Sequence, residues 1–145
     1  MSKENVEIVR TLIPGPDTDV AALLRDEGRF AELMATADPV IAPDIEAVAL
    51  WQPGSQRTYV GVDGWRRLWL DWLEPWDTYR IREVEDVIDA GDRVVVLIRD
   101  VGTRDDTDAE VEISAGSIWT VRDGKVVRVE FCTREEALEA AGRSG

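Results

Sequence analysis

The stretch GWRRLWLDWLEPWDTYRIREVEDVIDA, residues 64–90, changes its period halfway along. Its first half places Trp65, Trp69, Trp72 and Trp76 at spacings of four, three and four, which is one face of a helix. Asp63 or Gly61 opens that helix. Pro75 closes it, because the residue before a proline avoids helical geometry. From Tyr79 to Ala90 the pattern reads as a strand. A helix rich in tryptophan therefore feeds directly into a sheet. Two readings of the stripe stand at this point: it is core packing, or it is the wall of a pocket for a flat apolar ligand. Trp51 and Trp119 complete an aromatic box around it.

Downstream, the alternating stretches 93–104, 109–121 and 126–133 continue as strands. The turn RDGK between the last two is a strong hairpin signal. A last helix spans 134–142, with Gly142 as its C-cap. Upstream, Ser2 caps a helix over about 3–13, and PGP at 14–16 ends it. Asp17 or Thr18 caps a second helix, DVAALLRDE, with Gly28 as its C′ residue. A third helix, RFAELMATA, stops before Asp38-Pro39. Residues 44–52 read as a strand, and RTYVG after the PGSQ turn as a short second one. Helices segregated from an antiparallel meander make an α+β fold, with one domain over 1–145.

Composition narrows the function. The chain has 145 residues, 44% of them hydrophobic, enough for one real core. It carries 17 basic and 30 acidic residues, a net charge of −13. That charge repels phosphate backbones and anionic membranes, so neither nucleic acid nor a membrane is an expected partner. No apolar run reaches the roughly 20 residues of a membrane helix. The N-terminus lacks a signal pattern, and Cys132 is the sole cysteine, so a cytoplasmic location is expected. There is no histidine, which excludes Ser-His-Asp, Cys-His and histidine-metal chemistry.

The ordered set SKENVEIVR, YVGVDGWRRLWLDWLEPW, VEDVIDAGDRVVVLIRDVG and SIWTVRDGKVVRVEFCTREEALEAAG resembles the SnoaL-like proteins. These belong to the nuclear transport factor two-like, or ketosteroid-isomerase-like, superfamily. Region 14–43 fits least well. The resemblance implies a cone: a strongly curved, mostly antiparallel sheet wrapped around N-terminal helices, a cystatin-like α+β barrel with a pocket at its wide end. It also implies a homodimer through the convex sheet face. The superfamily's catalytic carboxylates do not carry over. The isomerase's oxyanion-hole aspartate falls on Ser117, and its general base near Val48 or Ala49. An epoxide hydrolase's last-strand aspartate falls on Phe131. That enzyme's arginine and aspartate stand two apart, whereas Arg99 and Asp100 are adjacent and point to opposite faces of a strand.

One of Arg99 and Asp100 therefore faces the interior. Asp100 pointing inward beside tryptophans would have a raised pKa and serve as an acid or base; Arg99 pointing inward would bind a carboxylate or enolate oxygen. Both as a solvated strand-end ion pair is the bland alternative. On the next strand Ile113, Ala115, Ser117 and Trp119 share the inward face. On the last, Val127, Val129, Phe131 and Thr133 face in, while Arg128, Glu130 and Cys132 face out, where a dimer partner could cover them. Small residues at 114–116 would let another sheet approach.

The candidate catalytic residues are thus Asp100 and Arg99. The candidate ligand-binding residues are Trp51, Trp65, Trp69, Trp72, Trp76, Ser117, Trp119 and Phe131. Glu83, Glu85 and Asp86 read as a solvated strand edge, and neither metal nor cofactor is expected. Two functions follow. One is a pocket for a flat apolar molecule, polyketide- or terpenoid-like, with proton transfer, cyclisation or hydration by Asp100. The other is a non-catalytic carrier, sensor or dimeric scaffold.

Overall fold

The computed structural model describes residues 2–50, 57–104 and 109–142. Three helices come first: α1 (Ser2–Leu12), α2 (Val20–Arg25) and α3 (Glu27–Ala37). A single 3₁₀ turn, Asp38–Val40, leads into β1 (Ile41–Ala49) and β2 (Arg57–Val60). The tryptophan helix α4 (Gly61–Leu73) follows. Then come β3 (Thr78–Ala90), β4 (Arg93–Thr103), β5 (Val111–Arg122), β6 (Lys125–Cys132) and a final helix, α5 (Arg134–Ala140).

The strands form one six-stranded sheet in the order β2-β1-β6-β5-β4-β3. All neighbours are antiparallel except β1 and β6, which run parallel. The sheet is curved and unclosed, with β2 and β3 at its edges. Two register shifts in β3, between Ile81 and Glu83 and between Val84 and Asp86, help to bend it. The β5–β6 turn needs positive φ at both central residues. Asp123 (φ 51°) and Gly124 (φ 76°) supply it.

Helices α1 to α4 pack on the concave face. Val9 on α1 is fully buried, in one core with Ile45, Trp65, Leu68, Val94, Val96, Trp119 and Val129. A second cluster gathers α2 (Val20, Ala21, Leu23, Leu24) against Leu73, Trp76 and Tyr79. Polar side chains clamp these elements together. Asp19 caps α2 through Ala21 N and Ala22 N, and the same carboxylate accepts the Tyr79 amide at 3.1 Å. Arg25 donates to the carbonyls of Leu73 and Trp76, both at 2.7 Å, which satisfies the open end of the tryptophan helix.

Several expectations are corrected. Asp19, not Asp17 or Thr18, caps α2. Gly28 does not end that helix but lies inside α3. Asp26 ends one helix and caps the next, accepting Arg29 N at 3.1 Å. The first strand begins at Ile41, ahead of the expected 44. On β6 the inward position expected for Val127 belongs to Val126. The β5–β6 register slips between Thr120 and Val121, leaving Val127 as the extra residue. Cys132 does face outward, but α5 of the same chain covers it, together with Ile88, Val95, Leu97, Ile118 and Ala137. The small residue at 116 serves that helix: a Cβ on Gly116 would lie 2.4 Å from the Ala137 Cβ. A capping box between Thr133 and Glu136 starts α5 at this contact.

Candidate functional site

Side chains from helices and sheet enclose a cavity of about 350 Å³. Its floor is a row across three strands. Val96 pairs with Ser117 and Ser117 with Phe131, so all three project from one line of the pleat. Trp119 stands one step along β5, while Ile98 and Ile81 close the far side. Trp65 and Trp69 descend from α4. Trp65 meets Trp119 edge-on at 5.8 Å, and Trp69 meets Phe131 at 5.3 Å. The remaining wall comes from Leu12, Ile13 and Pro14, from Leu23 and Leu24 on α2, and from Phe30, Leu33, Met34 and Ala37 on α3. Thr11, Thr36 and Leu33 are exposed and mark the outer rim.

The tryptophan stripe divides. Its first half, Trp65 and Trp69, lines the cavity. Its second half, Trp72 and Trp76, does not. These two close around Tyr79, at ring distances of 6.2 and 5.6 Å, and Trp69 meets the same ring at 6.3 Å. Trp76 lies against Gly102 of β4, the residue that pairs with Tyr79. The Arg104 guanidinium stacks on Trp76 at 5.0 Å. The stripe thus lines the cavity at its start and packs as solid core at its end. Ser117, Trp119 and Phe131 also line the cavity, and Trp51 lies outside the described residues.

Asp100 points inward and is 2% exposed. It pairs with Ile81 on β3 and stands two residues beyond Ile98 on β4, just past the cavity's end, and it does not line the cavity. The Tyr79 hydroxyl donates to its Oδ2 at 2.5 Å, while its Oδ1 has no hydrogen-bond partner. Burial pushes the Asp100 carboxyl up to about 7, against the smaller lowering effect of the Tyr79 hydrogen bond. Tyr79 is itself raised, first by burial and then by the Asp100 charge and its hydrogen bond. A hydrogen bond with Trp72 opposes the rise.

Arg99 faces the other way. It pairs with Glu85 at 3.3 Å and Glu112 at 3.4 Å on the convex side, where Arg134 also holds Glu85 at 2.6 Å. The alternation of the strand separates it from Asp100, so Arg99 takes no part in the cavity.

Two elements of the site were not legible as such. Arg66 lines the cavity although it follows Trp65 directly, about 100° around the helix from the tryptophan face. Region 14–43 supplies much of the wall. Its signal was the apolar content of VAALL and FAELM, which marks a buried face without saying what that face encloses.

The residues from 20 to 129 match the SnoaL-like domain. No curated protein matches the chain. Among solved structures, a protein described as a SnoaL-like polyketide cyclase, from Jannaschia sp. CCS1, is similar at 20% identity, with a TM-score of 0.64 over 96% of this chain and 91% of that one. TerC, co-crystallised with polyporic acid, is similar at 22% identity and a TM-score of 0.62, covering 96% and 98%. An NTF2-like protein from Burkholderia xenovorans LB400 shares 25% identity at a TM-score of 0.60, with 97% of each chain covered.

Proposed function

This chain belongs to the SnoaL-like domain family, and from that premise we propose that it binds a flat, mostly apolar small molecule, polyketide- or terpenoid-like, between its helices and its sheet. The carrying observation is the cavity itself. Its volume of about 350 Å³ falls in the range of small-molecule sites. Its inner walls are Trp65, Trp69, Trp119 and Phe131, whose faces suit planar rings. Ser117 is the polar side chain in the floor row, and its Oγ already accepts the Trp119 indole N–H at 2.8 Å. That TerC was crystallised with polyporic acid supports a ligand-binding role for the fold. A homodimer would use the part of the convex face that α5 leaves open, around Arg99, Glu112 and Arg128.

Naphthalene-type probes test the proposal through quenching of tryptophan emission. Val96→Phe sends a ring from the centre of the floor into the cavity. It is expected to weaken binding of 2-naphthamide at least about tenfold while the protein stays folded by circular dichroism. Unchanged affinity in this variant would place the binding elsewhere.

A catalytic reading keeps one observation in its favour: a buried carboxylic acid that titrates near neutrality lies next to the cavity's end. Turnover would require the ligand space to open toward Asp100, which does not line the cavity and is hydrogen-bonded to Tyr79. If a substrate is found, Asp100→Asn is expected to abolish its turnover and leave its binding intact.

A further inference from the structure

Arg66 is the one ionisable side chain lining the cavity among the described residues. Its side chain is 19% exposed, so it belongs to the rim and not the floor. A guanidinium carries five N–H donors. Here Nε donates to the Leu24 carbonyl at 2.9 Å, and the plane rests on the Phe30 ring at 5.3 Å. The nearest carboxylate is Glu27, at 4.0 Å from Nη1, beyond hydrogen-bond distance and on a side chain that is 89% exposed. Arg66 is therefore held in place at its stem and lacks a hydrogen-bonded acceptor at its fork among the described residues.

The arginines of the convex face differ. Arg99, Arg128 and Arg134 each reach a glutamate within 3.4 Å. Arg25 is spent on helix carbonyls. A chain with 30 acidic residues had ample means to neutralise Arg66 and leaves it loosely matched. A fixed fork with open donors suits a planar oxyanion, which it can bind through two parallel hydrogen bonds. Anchoring at Leu24 and Phe30 removes much of the entropy cost of ordering a long side chain.

Resting on the pocket reading above, we propose that the ligand is an amphipathic organic anion. Its flat apolar body fills the space between Trp65, Trp69, Trp119 and Phe131, and its one carboxylate or acidic enolate group sits on the Arg66 fork at the rim. Arg66 then selects acids over neutral molecules of the same shape. The body supplies apolar burial, and the head group sets orientation.

The test compares 2-naphthoic acid with 2-naphthamide, equal in shape and different in charge, by calorimetric titration at pH 8. The wild-type protein is expected to bind the acid on the order of tenfold more tightly than the amide. Arg66→Gln is expected to bring the two within about twofold, chiefly by weakening the acid. Equal binding of acid and amide by the wild-type protein would overturn the assignment while leaving the pocket standing. Persistence of the acid preference in Arg66→Gln would do the same. Binding of neither probe would remove the pocket reading and this inference with it. The wild-type comparison needs no variant, so it decides even if Arg66→Gln fails to fold.

Discussion

Asp100→Asn gains stability relative to the wild-type protein as pH rises from about 4 to about 7, and holds that gain above. Folding lifts the Asp100 pKa from 3.8 to about 7. Between those values the folded state holds a proton that the unfolded chain has released. Stability from this group is therefore complete at low pH and is lost as pH rises through the window. The slope is about 1.4 kcal/mol per pH unit, so the full change is on the order of 4 kcal/mol. The physical origin is the burial of Oδ1 without a partner, a tolerable state for a neutral acid and a costly one for a carboxylate.

Asparagine cannot ionise, so the variant lacks this component. Its own amide is incompletely paired, which costs it about 1–3 kcal/mol at all pH values. Urea unfolding at pH 4.5 and pH 8 checks the sign. The wild-type protein should be ahead at the lower pH and lose that lead at the higher. Equal pH dependence of the two proteins would show that Asp100 is not held protonated. Tyr79→Phe sharpens the test: it removes the hydrogen bond that favours the carboxylate and should push the window to higher pH.

Gly102→Ala carries the second large effect. A Cβ there would lie 2.4 Å from Trp76 Cε3 and 2.8 Å from Cζ3. The indole cannot easily yield. Its residue is tied by the Arg25 bond to its carbonyl and by its amide to Leu73 O at 2.9 Å, and Arg104 stacks on its ring. A loss of about 2–3 kcal/mol is expected, as for overpacking of a close-packed core. Gly116→Ala meets an equally close contact with Ala137, yet it should cost less. Its neighbour there is a seven-residue helix at the chain's end, which can lift away from the sheet. Trp76→Leu in the Gly102→Ala background should recover part of the loss. No recovery in that double variant would mean that the indole contact is not the cause.

The residues that announced the fold did so through period. Four tryptophans on one face and four alternating stretches placed α4 and β3 to β6 close to where they stand. The hairpin turn at Asp123-Gly124 was readable because both positions need a left-handed backbone. Alternation also separated Arg99 from Asp100, and the structure then showed which of them faces inward. Alternation fails at a bulge, where one extra residue reverses every later side chain. That is why Val126 holds the place expected for Val127.

The site was less legible. A stripe of tryptophans looks the same along its length, and only packing shows that Tyr79 fills the space beneath Trp72 and Trp76. Arg66 reads as a surface charge until α2 and α3 fold over it. The partner of Asp100 lies 21 residues away in sequence, with nothing in either local pattern to join them.

That division of the stripe is open to direct observation. The indole N–H signals in a ¹⁵N–¹H correlation spectrum, assigned by single Trp→Phe replacements, report each ring separately during titration with 2-naphthoic acid. Shifts at Trp65, Trp69 and Trp119, with Trp72 and Trp76 little changed, are the expected result. Shifts centred on Trp72 and Trp76, or none at any of the five, would contradict a ligand site between α4 and the Val96–Ser117–Phe131 floor.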